Sequence, residues 1–417
     1  MVPTEISPFQ VRLAEREAQH NIVSADQLVT PQDRTAQYFR FHQMVGGTPL
    51  LRLPLDNGGT AWAKFEMDSP TENHYDRASL AMFELLEGKG LIKPGDTILE
   101  GTSGSAGRSV AYFARRLGFN LQMLVPQEMD PVRRMEIEAQ GATVLTAKEP
   151  GGIGSVVKEY GERIMGFIDE GYDRVRFRED GAKVNIFNKD GEVVCASNHS
   201  ESLFTPKAFG QIAREVAIQL PYGVRIDTYL GTLGNGSSMK GISEELRRIY
   251  GEVKTIGVET LVAPVHALRK YGPEWFQERY GFVPAPEIDG VTQVHDVPGE
   301  SVWGYVPPFI ELNKIDEIRI PDDASWRELQ KEYNDVAWKA HHSTNYIGRT
   351  SAQNLYLAEQ VAEESPGRNI LIVFFDRADQ YSDWPPKSYR TPYPPFEDML
   401  DYARSYKTRL IPGVKVA

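Results

Sequence analysis

Two glycine-rich stretches, each set between a short apolar run and an amphipathic one, constrain this chain more than any other feature. They are "DTILEGTSGSAGRSVAYFARRLGF" (96–119) and "IDTYLGTLGNGSSMKGISEELRRIYG" (226–251). Each reads as strand, tight turn, helix. The rhythm extends outward from both. "TAWAKFEM", "NLQMLVPQ", "TVLTA", "VKTIGVE" and "NILIVFFD" read as strands. "RASLAMFELLEGKGLI", closed by Gly90, reads as a helix, as do "DPVRRMEIEAQGA", "TPKAFGQIAREVAIQL" and "SAQNLYLAEQVAEE". Strands alternating with helices predict an α/β protein with parallel sheets covered by helices, and two glycine-rich turns predict two lobes.

Residues 170–197 interrupt the rhythm. They alternate with period two and carry turn signals at Asp180-Gly181 and Asp190-Gly191. An inserted β-hairpin or small meander is expected. The predicted organisation is an N-terminal arm (1–44), an N-terminal lobe with the insertion (45–200), a C-terminal lobe (201–385) and a tail (386–417). The tail is approached through the Pro-rich surface segment 383–398.

The net charge of −12 and pI near 5.3 argue against nucleic acid or an anionic membrane as partner, since both require a basic footprint. The single cysteine, Cys195, excludes an intrachain disulfide and a multi-cysteine zinc site, and reads as a buried structural thiol. The start of the chain lacks an apolar signal region, and the apolar run "ILIVFF" is too short to span a bilayer. A cytoplasmic protein is expected.

In the second glycine-rich turn, Gly234 and Gly236 allow close backbone approach and Ser237 and Ser238 add hydroxyls at a helix N-terminus, an arrangement suited to phosphate. It is not a nucleoside-triphosphate loop. Glycines serving turn geometry alone explain it equally well. In the first turn, Thr102, Ser103 and the amides of Gly104, Ser105 and Ala106 suit a carboxylate, with simple helix capping as the alternative.

Taken in order, "GGTPLLRL", "AKFEMDSPTENHYDR", "GLIKPGDTILEGTSGSAG", "PQEMDPVRRMEIEAQGATVLTA", "GNGSSMKGI" and "VFFDRADQY" resemble the cysteine synthase and cystathionine β-synthase family, pyridoxal-phosphate enzymes of fold type II. The resemblance covers about residues 44–385 and implies the two-lobed fold of that family and a homodimer. It implies that Gly234, Asn235, Gly236, Ser237 and Ser238 hold the cofactor phosphate. It implies that Thr102, Ser103, Gly104 and Ala106 hold a substrate carboxylate, and that "GRTSA" (348–352) lies beside the cofactor ring.

The departures from the family pattern carry as much information. In "PTENHYDR" (70–77) the family's Schiff-base lysine is replaced by Tyr75, while Pro70, Asp76 and Arg77 match. Ser105 stands where the family places an asparagine at the ring hydroxyl. Arg377 stands where it places a serine or threonine at the ring nitrogen. A tyrosine forms no imine, and its ordinary pKa of about 10 makes it a poor base unless its neighbours lower that value. Arg77 is expected to tie the following helix to the loop. Lys64 and Lys240 are weak substitutes for the lysine, on a neighbouring strand and on the outer side of a helix. His199, in a loop where capping by Ser or Asn is the plainer reading, is a candidate acid or base beside the pocket; His74 neighbours Tyr75 with no role assigned to it; and the adjacent pair His341-His342 points to different helix faces, unsuited to a metal.

Two functions remain. One is a divergent enzyme of the β-elimination and β-replacement lineage, with pyridoxal phosphate non-covalent if bound, no metal, and Tyr75 as acid, base or hydrogen-bond donor. The other is a non-catalytic pseudoenzyme that binds a phosphorylated or amino-acid ligand and regulates a partner. An inactivated ordinary lysine enzyme ranks below both, because one substitution at Tyr75 leaves Ser105 unexplained.

Overall fold

The computed structural model describes residues 7–55, 58–102, 104–288, 291–293, 295–341 and 346–383. The chain begins with helices α1 (Pro8–Gln19) and α2 (Pro31–Met44), followed by strands β1 (Leu50–Pro54) and β2 (Thr60–Phe65) and helix α3 (Tyr75–Gly88). There follow β3 (Thr97–Gly101), α4 (Ser105–Leu117), β4 (Asn120–Val125), α5 (Pro131–Ala139), β5 (Thr143–Thr146) and α6 (Gly152–Asp169). The interrupting segment supplies β6 (Asp173–Phe177), β7 (Val184–Lys189) and β8 (Glu192–Ala196). The alternation resumes with α7 (Phe204–Gln219), β9 (Thr228–Thr232), α8 (Ser237–Tyr250), β10 (Lys254–Val258), α9 (Val265–Tyr271) and α10 (Pro273–Tyr280). A two-stranded ribbon, β11 (Glu287–Ile288) with β12 (Val291–Thr292), precedes β13 (Glu317–Arg319), α11 (Asp323–His341), α12 (Arg349–Glu364) and β14 (Asn369–Phe374).

The strands form two six-stranded sheets. One has the order β5-β4-β3-β8-β7-β6, parallel from β5 to β8 and antiparallel through the meander. The other has the order β1-β2-β14-β9-β10-β13, parallel except at the β1 edge. The α/β class and the parallel sheets follow the sequence expectation. The predicted insertion is a three-stranded meander continuous with the first sheet: β8 pairs in parallel with β3. Asp190 and Gly191 both have positive φ (53° and 90°), the conformation a two-residue hairpin turn requires.

Two corrections concern organisation. The lobe boundary drawn in chain order, 45–200 against 201–385, does not follow sheet membership. β1 and β2 belong to the second sheet, where all six residues of β2 are buried between β1 and β14. A parallel neighbour need not be close in sequence, so alternation alone does not reveal this exchange. Residues 7–44 are also more than an arm. Phe9, Leu13, Phe41 and Met44 share one apolar cluster with Phe113 and Leu117, with the Phe41 and Phe113 rings 5.0 Å apart. The tail 386–417 and most of the Pro-rich segment lie outside the described residues. Among the described residues no helix is long and apolar enough to cross a membrane.

Candidate functional site

The two glycine-rich turns lie at the C-terminal ends of β3 and β9, where open parallel sheets present ligand sites. Helices α4 and α8 start there, and both N-termini border one cavity. The cavity is lined by Thr102, Gly104, Ser105 and Ala106 from the first turn, and by Gly234, Asn235 and Ser238 from the second. Tyr75, His74, His199, Ser200, Arg133, Asp376, Glu300 and Tyr305 complete its polar wall.

Tyr75 is the first residue of α3. Asn73 accepts a hydrogen bond from its backbone N–H (2.9 Å), and Asp76 and Arg77 anchor the same turn from behind. Asp76 is buried and accepts from Thr71 N–H (2.7 Å) and Ser109 Oγ (2.6 Å); burial pushes its carboxyl up to about 6 in spite of these bonds. Arg77 is buried between Glu66 (2.8 Å) and Glu215 (2.6 Å), which is the tying role the sequence suggested. So held, the Tyr75 phenol crosses to the second turn and meets Asn235 Nδ2 at 3.3 Å. Burial raises its pKa well above the ordinary value, against the opposing hydrogen bond from Asn235. The phenol therefore stays protonated at neutral pH. Burial thus favours the protonated phenol and works against a base role for it.

In the second turn, Asn235 Oδ1 accepts from Ser237 N–H (3.0 Å) and Ser237 Oγ (2.6 Å), capping α8 with the chain's own amide. Ser238 faces the cavity, while the Ser237 hydroxyl turns toward Asn235. Gly234 and Gly236 were expected to clear space for a ligand, and the space is filled by the chain itself. A Cβ on Gly234 would lie 2.1 Å from the Gly299 carbonyl oxygen, and one on Gly236 would lie 2.7 Å from Ile310. Segment 297–310 thus lies across the turn.

In the first turn, Thr102 Oγ1 accepts from Gly104 N–H (3.0 Å) and Gly107 N–H (3.2 Å), so this hydroxyl caps α4. Ser103 lies outside the described residues. Ser105 Oγ lies 3.4 Å from Asp376 Oδ2, as a donor to it. Arg133, from α5, passes so close that a Cβ on Gly104 would lie 2.0 Å from its Nη1.

Arg377 is the clearest correction at the site. It does not reach the cavity. Its buried guanidinium lies 3.2 Å from Glu72 and 3.9 Å from Asp68, beside Arg12 and Arg108, which pair with the same Glu72. The residue before it, Asp376, faces the cavity instead, because successive side chains on extended backbone point to opposite sides. Asp376 Oδ2 accepts from Arg133 (2.7 Å) and from Tyr381 OH (3.0 Å), while its buried Oδ1 has no partner. Gly348, opening the "GRTSA" segment, leaves room for that oxygen: a Cβ there would lie 1.9 Å from it. Thr350 of the same segment lines the cavity.

The other sequence candidates sort clearly. Lys64 Nζ is buried against Gln219 (2.9 Å) and Glu215 (2.7 Å), and Lys240 pairs with Glu244 (2.8 Å) and Glu311 (2.5 Å). Neither lines the cavity. His74 does, packed among Tyr75, Phe209 and Phe375, but burial lowers its pKa to about 3, so it is a neutral ring. His342 lies outside the described residues. Cys195 is fully buried, and burial raises its thiol pKa. No group of three or more histidine, cysteine or acidic residues is arranged for a metal among the described residues. Sequence reasoning missed Asp376, Arg133, Ser200, Glu300 and Tyr305. Strand alternation beyond β14 was the available signal for Asp376; the others arrive from distant segments.

Residues 42–281, more than half of the chain, match the family profile described as pyridoxal-phosphate dependent enzyme. The chain is 27% identical over 355 residues to cysteine synthase of Staphylococcus aureus, covering 83% of this chain and 96% of that protein. It is 24% identical over 344 residues to cysteine synthase B of Escherichia coli, covering 81% and 93%. Among solved structures it resembles O-acetylserine dependent cystathionine beta-synthase from Helicobacter pylori, with a TM-score of 0.62 and 21% identity over 82% of this chain and 96% of that one. O-ureido-L-serine synthase gives a TM-score of 0.61 at 21% identity, covering 82% and 92%. These two likenesses establish the fold.

Proposed function

The chain belongs to the family of pyridoxal-phosphate dependent enzymes, and from that premise we propose that it is a divergent cysteine-synthase-like enzyme for an amino-acid-type substrate that holds its cofactor without a covalent anchor. The observation that carries this reading is the Tyr75 phenol, 3.3 Å from Asn235 at the head of α8, inside a cavity walled by polar groups. A silent scaffold has no need to keep such groups converging.

The residues fit pyridoxal phosphate in part. The α8 N-terminus with Ser238 suits its phosphate, through the positive end of the helix and a hydroxyl donor. Ser105 and Asp376 stand together in its wall, with Asp376 Oδ2 already accepting from Arg133 and Tyr381. Covalent anchoring does not fit, because no lysine is among the described residues lining the cavity. When bound, the cofactor supplies an electron sink for carbanion chemistry on an amino acid. The chain's own contributions are then separate. Tyr75 donates or accepts a hydrogen bond without losing its proton. Arg133, paired to Asp376, supplies a fixed positive charge beside the α4 N-terminus for a substrate carboxylate.

The test is an absorption titration of the purified protein with pyridoxal phosphate, followed by borohydride and peptide mapping. Expected is a spectral change that desalting reverses and no borohydride-fixed peptide. Tyr75→Lys, which restores an amine at that position, should give a borohydride-fixed peptide containing residue 75. A fixed adduct on the unaltered chain, or no binding at all, overturns the reading. The non-catalytic alternative draws on one observation, the absence of a base at Tyr75. Cofactor bound without turnover of any O-acyl or O-ureido serine would favour it.

A further inference from the structure

We propose that Ser200, His199 and Glu100 form an acyl-transfer relay in this cavity, acting without a cofactor on a small ester that carries an anionic group. The three side chains are in series. Ser200 Oγ lies 3.2 Å from His199 Nε2, and His199 Nδ1 stands 3.2 Å from Glu100 Oε1 as a charge contact, off the angle of a hydrogen bond. Ser200 and His199 line the cavity, while Glu100 is buried at the end of β3 behind them.

The order of the groups is held from several sides. Glu100 accepts from Ser197 Oγ (2.6 Å), His199 N–H (3.1 Å) and Gly101 N–H (2.9 Å). Burial opposes its charge, but His199, Ser197 and the Gly101 amide together hold the carboxyl below the usual range. Thr205 Oγ1 donates to the His199 carbonyl (2.7 Å), so the backbone on either side of the imidazole is fixed. A carboxylate facing Nδ1 favours the tautomer with its proton there and leaves the Nε2 lone pair to accept from Ser200. This is the arrangement of nucleophile, base and orienting acid recognised by geometry and not by fold.

The surroundings define the substrate class. Asn235 Nδ2 donates toward Ser200 Oγ at 3.5 Å and so helps place the nucleophile, and the α8 N-terminus borders the same space with its positive dipole end. Arg133 and the α4 N-terminus, in the same cavity, suit a carboxylate on the ester. Ser200 Oγ attacks the carbonyl carbon as its proton passes to His199 Nε2. The ester C–O bond breaks and the leaving alcohol takes that proton. Water, deprotonated by the same nitrogen, releases the acid and returns the proton to Ser200. The sum is ester plus water giving acid plus alcohol.

The experiment uses the full chain as purified, with a fluorophosphonate probe, p-nitrophenyl acetate and an O-acyl serine. Expected are covalent labelling mapped to Ser200 and ester hydrolysis, with both abolished in Ser200→Ala while circular dichroism is unchanged. His199→Gln should lower the labelling rate by about a hundredfold or more. Glu100→Gln should lower that rate and displace its pH profile, and Glu100→Asp should restore part of both, which a purely structural role would not do. No labelling of Ser200 in folded protein, or labelling and hydrolysis that persist in Ser200→Ala, overturns the proposal. Either failure leaves the cofactor-binding reading standing, since that is read by absorption.

Discussion

Tyr75 and Arg377, two residues the sequence singled out as unusual, differ in where each side chain goes. Tyr75 enters the cavity, where burial keeps its phenol protonated and Asn235 engages it. Arg377 leaves the cavity and joins Arg12 and Arg108 around Glu72. Arg377→Ala should therefore weaken the fold and spare the ligand site. Loss of one of three cations around a buried carboxylate should cost about 1–3 kcal/mol, read by denaturant unfolding. The pyridoxal-phosphate affinity should change by less than about twofold, under half a kcal/mol. A large loss of affinity with unchanged stability would return Arg377 to the ring-side role the family resemblance implied.

At the scale of elements, the site is built from helix starts. The α4 N-terminus is satisfied by Thr102 and the α8 N-terminus by Asn235, so part of each apparent ligand turn closes on the chain itself. The glycines belong to this closure. Gly348 marks the third such start, at α12, where the missing side chain gives Asp376 Oδ1 its place. In Gly348→Ala the added methyl would collide with that carboxylate, forcing Asp376 off Arg133 and Tyr381. The expected result is a stability loss of about 1–3 kcal/mol from overpacking, together with weakened ligand binding. A variant as stable and as active as the parent would show that Asp376 can move freely.

At the scale of the molecule, the cavity lies where two separately cored sheets meet, and segment 297–310 lies over one of its turns. That segment brings Glu300, whose carboxyl is buried with no side-chain partner and only the Thr260 backbone favouring its charge. Burial, with the nearby Glu259, raises its pKa well above the ordinary 4.5. The folded state therefore keeps a proton that the unfolded chain releases above pH 4.5, and stability falls as pH rises through the window from 4.5 to the folded value. Glu300→Gln should remove this loss. Its unfolding midpoint should exceed that of the parent at pH 7 to 8, and the difference should vanish below pH 4.5. Equal midpoints at pH 8 would mean that Glu300 ionises freely. Local pattern alone determined the strand–turn–helix units, the meander turn at Asp190-Gly191 and the two helix N-termini of the site, because each depends on residues within one or two turns of one another. Only the tertiary structure decided that β1 and β2 cross to the second sheet, that Arg133, Glu300 and Tyr305 join the cavity wall, and that Glu100, His199 and Ser200 stand in line beside Asn235. Those outcomes depend on which distant segments pack together, and packing is set by burial and chain-closure over the whole molecule, which no single window of sequence contains.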